Sequence, residues 1–414
     1  MMRRWAFAPA VLIAFAIAAC ERDVARVTGP HGSEALARYV AIGTSLSAGV
    51  QSGGLLYSTQ GRSWPALLAD QSFAPFTTPA IRGPGCAPPI IAPLQFGRRL
   101  SGGSLADDDT CALLFADVSL PTNNLAVPGA TTQSALTATP ESFGEQTFAR
   151  MLHSRILPSG RSQVTAMMEA APTLVSVELG ANEVLGAVTS GLVVPNVTLV
   201  PFGTWQPLYT MVIDSVVRTG ARALLATVPR VSGIVSLRTG SELWAARQQF
   251  LAFNVNLNAD CDGSPNLVFT PRLVLGKVAE GQALAPHGQQ AQLSCANQPP
   301  SAPDFILSPA EAQIVNDVVT QMNQHIQQLA TLHGFALLDA NVVLQQIIDE
   351  RPAFNLITLL SCVYPFGQYV SLDGVHPNSD GYRLVANAAA AALNARYGFH
   401  LPTPPVPVLA SLCS

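Results

Sequence analysis

Charge is scarce in this chain. Asp, Glu, Lys and Arg make up only 12% of its 414 residues, and the formal net charge is −4, where a soluble domain ordinarily carries about a quarter charged residues. A nucleic-acid partner calls for a basic stripe to meet phosphates, and none is present, so no nucleic acid is expected. With so few charges the surface has to be built from Ser, Thr, Gln, Asn and small apolar groups, which suits a protein working near lipid or other apolar material. No CxxC or HExxH spacing argues for a metal, and no cofactor is called for. No internal repeat stands out, which leaves out solenoids and propellers. The apolar run from Trp5 to Ala19 is too short for a comfortable membrane span.

What is present begins with that run. Arg3 and Arg4 precede it and small residues close it, the pattern of a secretory signal peptide over 1–19. Ile17-Ala18-Ala19-Cys20 resembles the bacterial lipobox, which implies lipidation of Cys20 and a membrane held through that lipid. A plain signal peptide cut near Ala19 remains the alternative. In bacteria with two membranes, Glu21 after the cysteine favours the outer membrane, so the expected place is the exported cell envelope. Without Cys20, six of the seven cysteines remain. An even number in an exported chain implies disulfides, and closure of the shortest loops pairs Cys86 with Cys111, Cys261 with Cys295, and Cys362 with Cys413.

Residues 20–37 lack apolar periodicity and hold Gly29-Pro30-His31-Gly32, so they read as a tether. Beyond it, 49% hydrophobic content supplies core for one large domain or two small ones, and one domain is expected over 38–400. Strand-like apolar runs at Tyr39–Ile42, Thr173–Leu179, Ala221–Val228 and Phe335–Leu338 alternate with helical spacing at Trp64–Asp70, Gln163–Ala170, Trp205–Thr219, Glu242–Asn258 and Ser379–Arg396. This β-then-α order predicts a parallel sheet with helices on both faces. Ser308-Pro309-Ala310-Glu311 is a well-formed helix start, with a Ser cap, Pro at the first position and Glu three residues on, for a helix reaching His333. Residues 73–103, crowded with Pro and Gly, read as a long excursion that either walls a pocket or merely decorates the surface. Residues of about 260–304 read as an insertion without a core of its own, with a hairpin near Leu267–Val278. The Pro-rich tail 401–414 cannot be helical.

The chemistry lies at the strand ends. Tyr39–Ile42 breaks at Gly43 and delivers Ser45 at the carboxyl end of the first strand, where α/β enzymes place reactive groups. A serine hydroxyl needs a base to take its proton, and the base needs an orienting carboxylate. Asp373-Gly374-Val375-His376 offers both within one loop, with Asp339 a second possible carboxylate. Each signal alone is weak. A Gly-x-Ser is common, a loop histidine is more often a satisfied polar residue, and the glycine of Asn123–Thr131, a run that reads as a strand ending in a tight turn, is more often only a turn glycine.

Taken in order, however, four blocks resemble the SGNH, or GDSL-type, serine hydrolases. They are Gly43-Thr44-Ser45-Leu46-Ser47-Ala48-Gly49, Asn124 to Gly129, Gly180-Ala181-Asn182-Glu183, and Asp373 to His376. The resemblance implies a three-layer flavodoxin-like α/β fold and a triad of Ser45, His376 and Asp373. It also implies an oxyanion hole formed by the Ser45 N–H, the Gly129 N–H and the Asn182 amide. Thr44 stands where the family usually has Asp, and Glu183 stands where Asp usually follows the asparagine. The expected activity is hydrolysis of carboxylic esters through an acyl-enzyme on Ser45, with a small-molecule, lipid or glycan ester as substrate. An esterase or lipase, a carbohydrate O-deacetylase and an acyltransferase would share this site. A surface lipoprotein that binds glycan or lipid without turnover is the rival from another class.

Overall fold

The computed structural model describes residues 31–105, 109–298 and 302–413. The expected signal peptide over 1–19 and the expected lipidation of Cys20 fall outside the described residues. Nine strands are described: β1 (Tyr39–Gly43), β2 (Leu174–Glu178), β3 (Arg222–Ala226), β4 (Leu237–Thr239), β5 (Val255–Leu257), β6 (Leu267–Phe269), β7 (Ala291–Leu293), β8 (Ile306–Leu307) and β9 (Ala336–Leu338). The central sheet runs β1-β2-β3-β9, all parallel. The Asn123–Thr131 run, expected as a strand, contributes a short parallel edge beside β1. There the Ala41 N–H donates to Asn123 O (2.9 Å), and the Leu125 and Val127 N–H groups donate to Ala41 O (2.8 Å) and Gly43 O (3.2 Å). Counting that edge, the second chain segment lies outside the first and the third, fourth and fifth follow on the other side. This is the flavodoxin-like order, whose switch point opens a crevice at the carboxyl ends of β1 and β2.

Strand periodicity divides the core into two layers. Tyr39 and Ala41 of β1, Leu174 of β2, Leu224 and Ala226 of β3, and Leu338 of β9 face one side. They pack there on Trp64–Gln71 and on Ser379–Tyr397, through Leu68, Tyr382, Ala386 and Leu393. Val40, Ile42, Val175, Val177, Ala223 and Leu225 face the other side, against Met167, Trp205, Val212, Val315 and Val319. Two polar groups within the first layer's strands satisfy each other locally, since the Tyr39 hydroxyl and Ser176 Oγ bond at 2.8 Å. The helix Pro309–His333 begins as its sequence specifies. Ser308 Oγ accepts the Glu311 N–H (3.3 Å) and Glu311 Oε2 accepts the Ser308 N–H (2.9 Å). A cap of this kind is worth about 1 kcal/mol.

Several expectations need correction. Packing starts before residue 38, because Ser33–Leu36 form a 3₁₀ turn and bury Ala35 and Leu36 on the first layer. Two apolar residues with a place to bury end the tether early. The insertion is larger than 260–304 and does pack a core. Leu243, Phe250, Val268, Val274 and Leu293 form a second cluster with Leu356, Leu360 and Phe366. Its framework is the antiparallel sheet β4-β6-β8 and the pair β5-β7. The hairpin expected over Leu267–Val278 does not form, since β6 pairs instead with β4 and β8, and Leu273–Leu284 is helical. The single helix expected over Glu242–Asn258 is two short ones, Gly240–Ala245 and Arg247–Leu251, followed by β5.

The structure joins Cys86 to Cys111, Cys261 to Cys295 and Cys362 to Cys413. The tail lies along the surface without helix. Asn387 Nδ2 donates to Pro404 O (2.7 Å), and Gln368 Oε1 accepts the Leu409 N–H (3.0 Å). Among the described residues no helix is long and apolar enough to cross a membrane.

Candidate active site

β1 ends on Gly43 because nothing larger fits there. A Cβ would sit 2.7 Å from Ser47 Oγ and 2.8 Å from the Glu178 carbonyl. The chain then turns into the single helical turn Ser45–Ala48, capped by Thr44. Tyr382, on the helix Ser379–Tyr397, holds the far side of this turn by donating to Val50 O at 2.7 Å.

Ser45 Oγ lies 2.8 Å from His376 Nε2, and His376 Nδ1 lies 2.8 Å from Asp373 Oδ2. The loop carrying the last two closes on itself. Asp373 Oδ1 accepts the N–H groups of Val375 (2.8 Å) and His376 (2.9 Å), and the Ser371 N–H donates to His376 O at 2.9 Å. Burial opposes a charge on Asp373, but His376 beside it and these N–H donors prevail and hold its carboxyl below the ordinary carboxylate range. The Gly53 N–H donates to the same Oδ2 that faces His376. The link between the two distant blocks is thus explicit: Ser52 N–H donates to Ser371 Oγ (2.8 Å) while Asp373 is gripped from Gly53.

The 73–103 excursion supports this link and does not wall the cavity described below. Its Arg99 donates to Pro88 O (2.7 Å) and Gly53 O (3.4 Å), and the Ile90 N–H donates to Ser52 O (2.7 Å). Asp339 is not an orienting carboxylate. It caps the helix Ala340–Asp349 and accepts from Thr227 Oγ1 (3.1 Å).

Asn182 opens the helix Asn182–Ser190 at the end of β2, and its Nδ2 donates to Ala130 O at 2.8 Å. A primary amide has a second N–H to offer. Gly129 is exposed with φ of 78°, in the left-handed region. Its turn is tied to Asn182 through Ala130 and to Glu183, whose Oε1 accepts the Thr132 N–H at 2.6 Å. Burial raises the Glu183 pKa against that hydrogen bond. Ser45, Asn182 and His376 border one cavity, and Gly129 is not part of its wall.

Sequence reasoning missed Glu178. It is buried at the end of β2, paired in register with Gly43. Its carboxylate accepts the N–H groups of Thr44 (3.0 Å) and Ser47 (3.2 Å) and both their hydroxyls, Thr44 Oγ1 at 2.9 Å and Ser47 Oγ at 3.1 Å. Burial pushes its carboxyl up to about 7 against the pull of those four donors. A carboxylate does therefore sit against the Ser45 turn, contributed from β2 rather than from position 44. The available signal was a single charge ending the otherwise apolar strand Leu174-Val175-Ser176-Val177, since a charge in a strand buried on both faces has to be paired. Among the described residues one trio of side chains has metal-ligand proximity, Asp260, Cys261 and Cys295. Its two sulfurs are bonded to each other.

No protein-family model matches the chain, and no curated protein does. Solved structures give remote likenesses. A variant of the acetyl-xylooligosaccharide esterase Axe2 from Geobacillus Stearmophilus is 11% identical with a TM-score of 0.37, over 88% of this chain and 94% of that one. An α/β hydrolase enzyme from the metagenome of Lake Arreo, Spain, is 14% identical with a TM-score of 0.37, over 86% of this chain and 93% of that one. Likenesses this remote say nothing of function, which has to be read from the site.

Proposed function

We propose that this chain is an SGNH-type serine hydrolase of carboxylic esters. The observation that carries the reading is the unbroken path of hydrogen bonds from Ser45 through His376 to Asp373, each link 2.8 Å, at the switch point of the sheet. In the reaction, Ser45 Oγ attacks the ester carbonyl carbon as its proton passes to His376 Nε2. Asp373 holds Nδ1–H and so fixes the tautomer that leaves Nε2 free to accept. The negative oxygen of the tetrahedral species takes hydrogen bonds from the Asn182 amide and the N–H groups of Ser45 and Gly129. The bond to the leaving oxygen breaks as His376 returns its proton to it, freeing the alcohol and leaving an acyl group on Ser45. Water then attacks the acyl carbon, giving its proton to Nε2, and Ser45 leaves with that proton as the acid is released.

Three disulfides support an oxidising compartment, and the sequence ahead of Cys20 supports export and a lipid anchor to the cell envelope. The test is turnover of p-nitrophenyl acetate by the purified chain and its Ser45→Ala variant. Loss of at least about 10³-fold in kcat with the fold retained is expected. Equal turnover by the two proteins overturns the proposal.

A further inference from the structure

The cavity at Ser45 has a second, apolar end. It runs past the carboxyl ends of β3 and β9 and is roofed by Ala340, Val343, Leu344 and Ile347. These positions form one stripe of the helix Ala340–Asp349, spaced by three and four residues. Val343 and Ile347 are buried members of the second core cluster, and they also border this space. The hydroxyl and carboxyl side chains that border it beyond the reacting groups already have partners. Thr227 Oγ1 donates to Asp339 and accepts the Ala340 N–H at 2.9 Å, Glu178 is held by Thr44 and Ser47, and the Tyr382 hydroxyl donates to Val50 O. Sugar hydroxyls entering this space would lose water and find few partners in return, a cost that a hydrocarbon chain does not incur.

Resting on the ester-hydrolase reading of Ser45, we propose that this cavity is an acyl-chain site and that the enzyme's substrates are esters of short unbranched fatty acids, pentanoyl to hexanoyl. The cavity volume is about 110 Å³. An apolar cavity of about 150 Å³ in another protein takes up benzene, so this one holds about four to five carbon atoms beyond the carbonyl. The acyl side of the ester is assigned to it because the acyl group stays bonded to Ser45 through both halves of the reaction, whereas the alcohol has to leave and water has to enter. An interior space suits the part that remains.

The test is kcat/KM of the full chain on p-nitrophenyl acetate, butyrate, hexanoate and decanoate, beside methyl, butyl and hexyl acetates. Each methylene buried in the cavity is worth about fourfold. The expected profile rises by about that factor per carbon from acetate through butyrate, peaks at hexanoate, and falls at decanoate, with little response to the length of the alcohol. Leu344→Phe fills the site and is expected to cut the hexanoate-to-acetate ratio at least about tenfold, while Val343→Ala is expected to move the peak to longer chains. A flat acyl profile, or one that follows the alcohol, overturns the assignment.

A second readout does not need turnover. In Ser45→Ala, hexanamide is expected to bind at least about tenfold more tightly than acetamide, followed by the fluorescence of Trp64 in the cavity wall. Equal binding of the two amides counts against the acyl site even where esters are hydrolysed. Selective hexanamide binding without any ester turnover supports the cavity and removes the hydrolase reading.

Discussion

Glu178→Gln separates the electrostatics of the Ser45 turn from its shape. In the folded chain this carboxyl sits at about 7 against an ordinary value of 4.5. Between those values the folded protein keeps a proton that the unfolded chain has released. Stability drawn from that proton is complete below the unfolded value and is lost as pH rises through 7. A displacement of that size corresponds to about 3 kcal/mol. Glutamine has nearly the same shape, accepts the Thr44 and Ser47 N–H groups through its carbonyl oxygen, and has no proton to lose. The phenols that face Glu178, those of Tyr209 and Tyr382, stay neutral throughout this range. Asp373 and Glu183 also change stability with pH, but identically in the two proteins.

Urea unfolding of both proteins from pH 4.5 to 8.5 therefore isolates the residue. The difference, variant minus wild type, is expected to climb by about 3 kcal/mol between pH 5 and 8, with the climb centred between the unfolded and folded values. A difference that stays level across that range refutes the reasoning, because Glu178 would then be as easily charged in the fold as in water.

Asn182→Ala is expected to lower kcat on p-nitrophenyl acetate by about 10²–10³-fold with little change in KM, as for loss of one oxyanion donor. Thr44→Val keeps the shape of the turn but takes one hydroxyl from the Glu178 carboxylate, and urea unfolding at pH 8 is expected to show a loss of about 1.5–3 kcal/mol. Replacing both Cys362 and Cys413 by Ser opens a loop whose ends are 51 residues apart. Chain entropy sets the loss at up to about 4 kcal/mol, read as a lowered urea midpoint with the acetate kcat retained once the protein is folded.

The parts of the fold that were legible in the sequence are those whose local signals agree. β2 reads as a strand because the short apolar run Leu174 to Val177 is rich in β-branched Val and too short for a buried helix, and Pro309–His333 starts at its Ser cap and stops at Gly334, whose φ is 69°. Ser45 and the Asp373–His376 pair could be singled out because each sits at a strand end or within one short loop, and the structure brings the three together. What stayed hidden depends on partners far away in sequence. Strands of two or three residues such as β4, β6 and β8 carry too little periodicity to be told from helix or coil. Only their pairing, from Leu237 to Phe269 and from Leu267 to Leu307, defines them. The role of the 73–103 excursion was hidden for the same reason, since it acts through Arg99 and Ile90 on a turn some 40 residues earlier, and that turn in turn holds Asp373. Glu178 was within reach, had its position in a buried strand been weighed as a demand for hydrogen-bond donors.

The central claim is that Ser45 is an activated nucleophile. A fluorophosphonate reacts only with a serine whose proton has somewhere to go, so labelling of the purified chain, located by peptide mass spectrometry, tests it without knowledge of the natural ester. Stoichiometric modification at Ser45, lost in Ser45→Ala and slowed at least about 10³-fold in His376→Ala, is the expected result. A folded chain that leaves Ser45 unmodified, or labels it equally fast without His376, contradicts it.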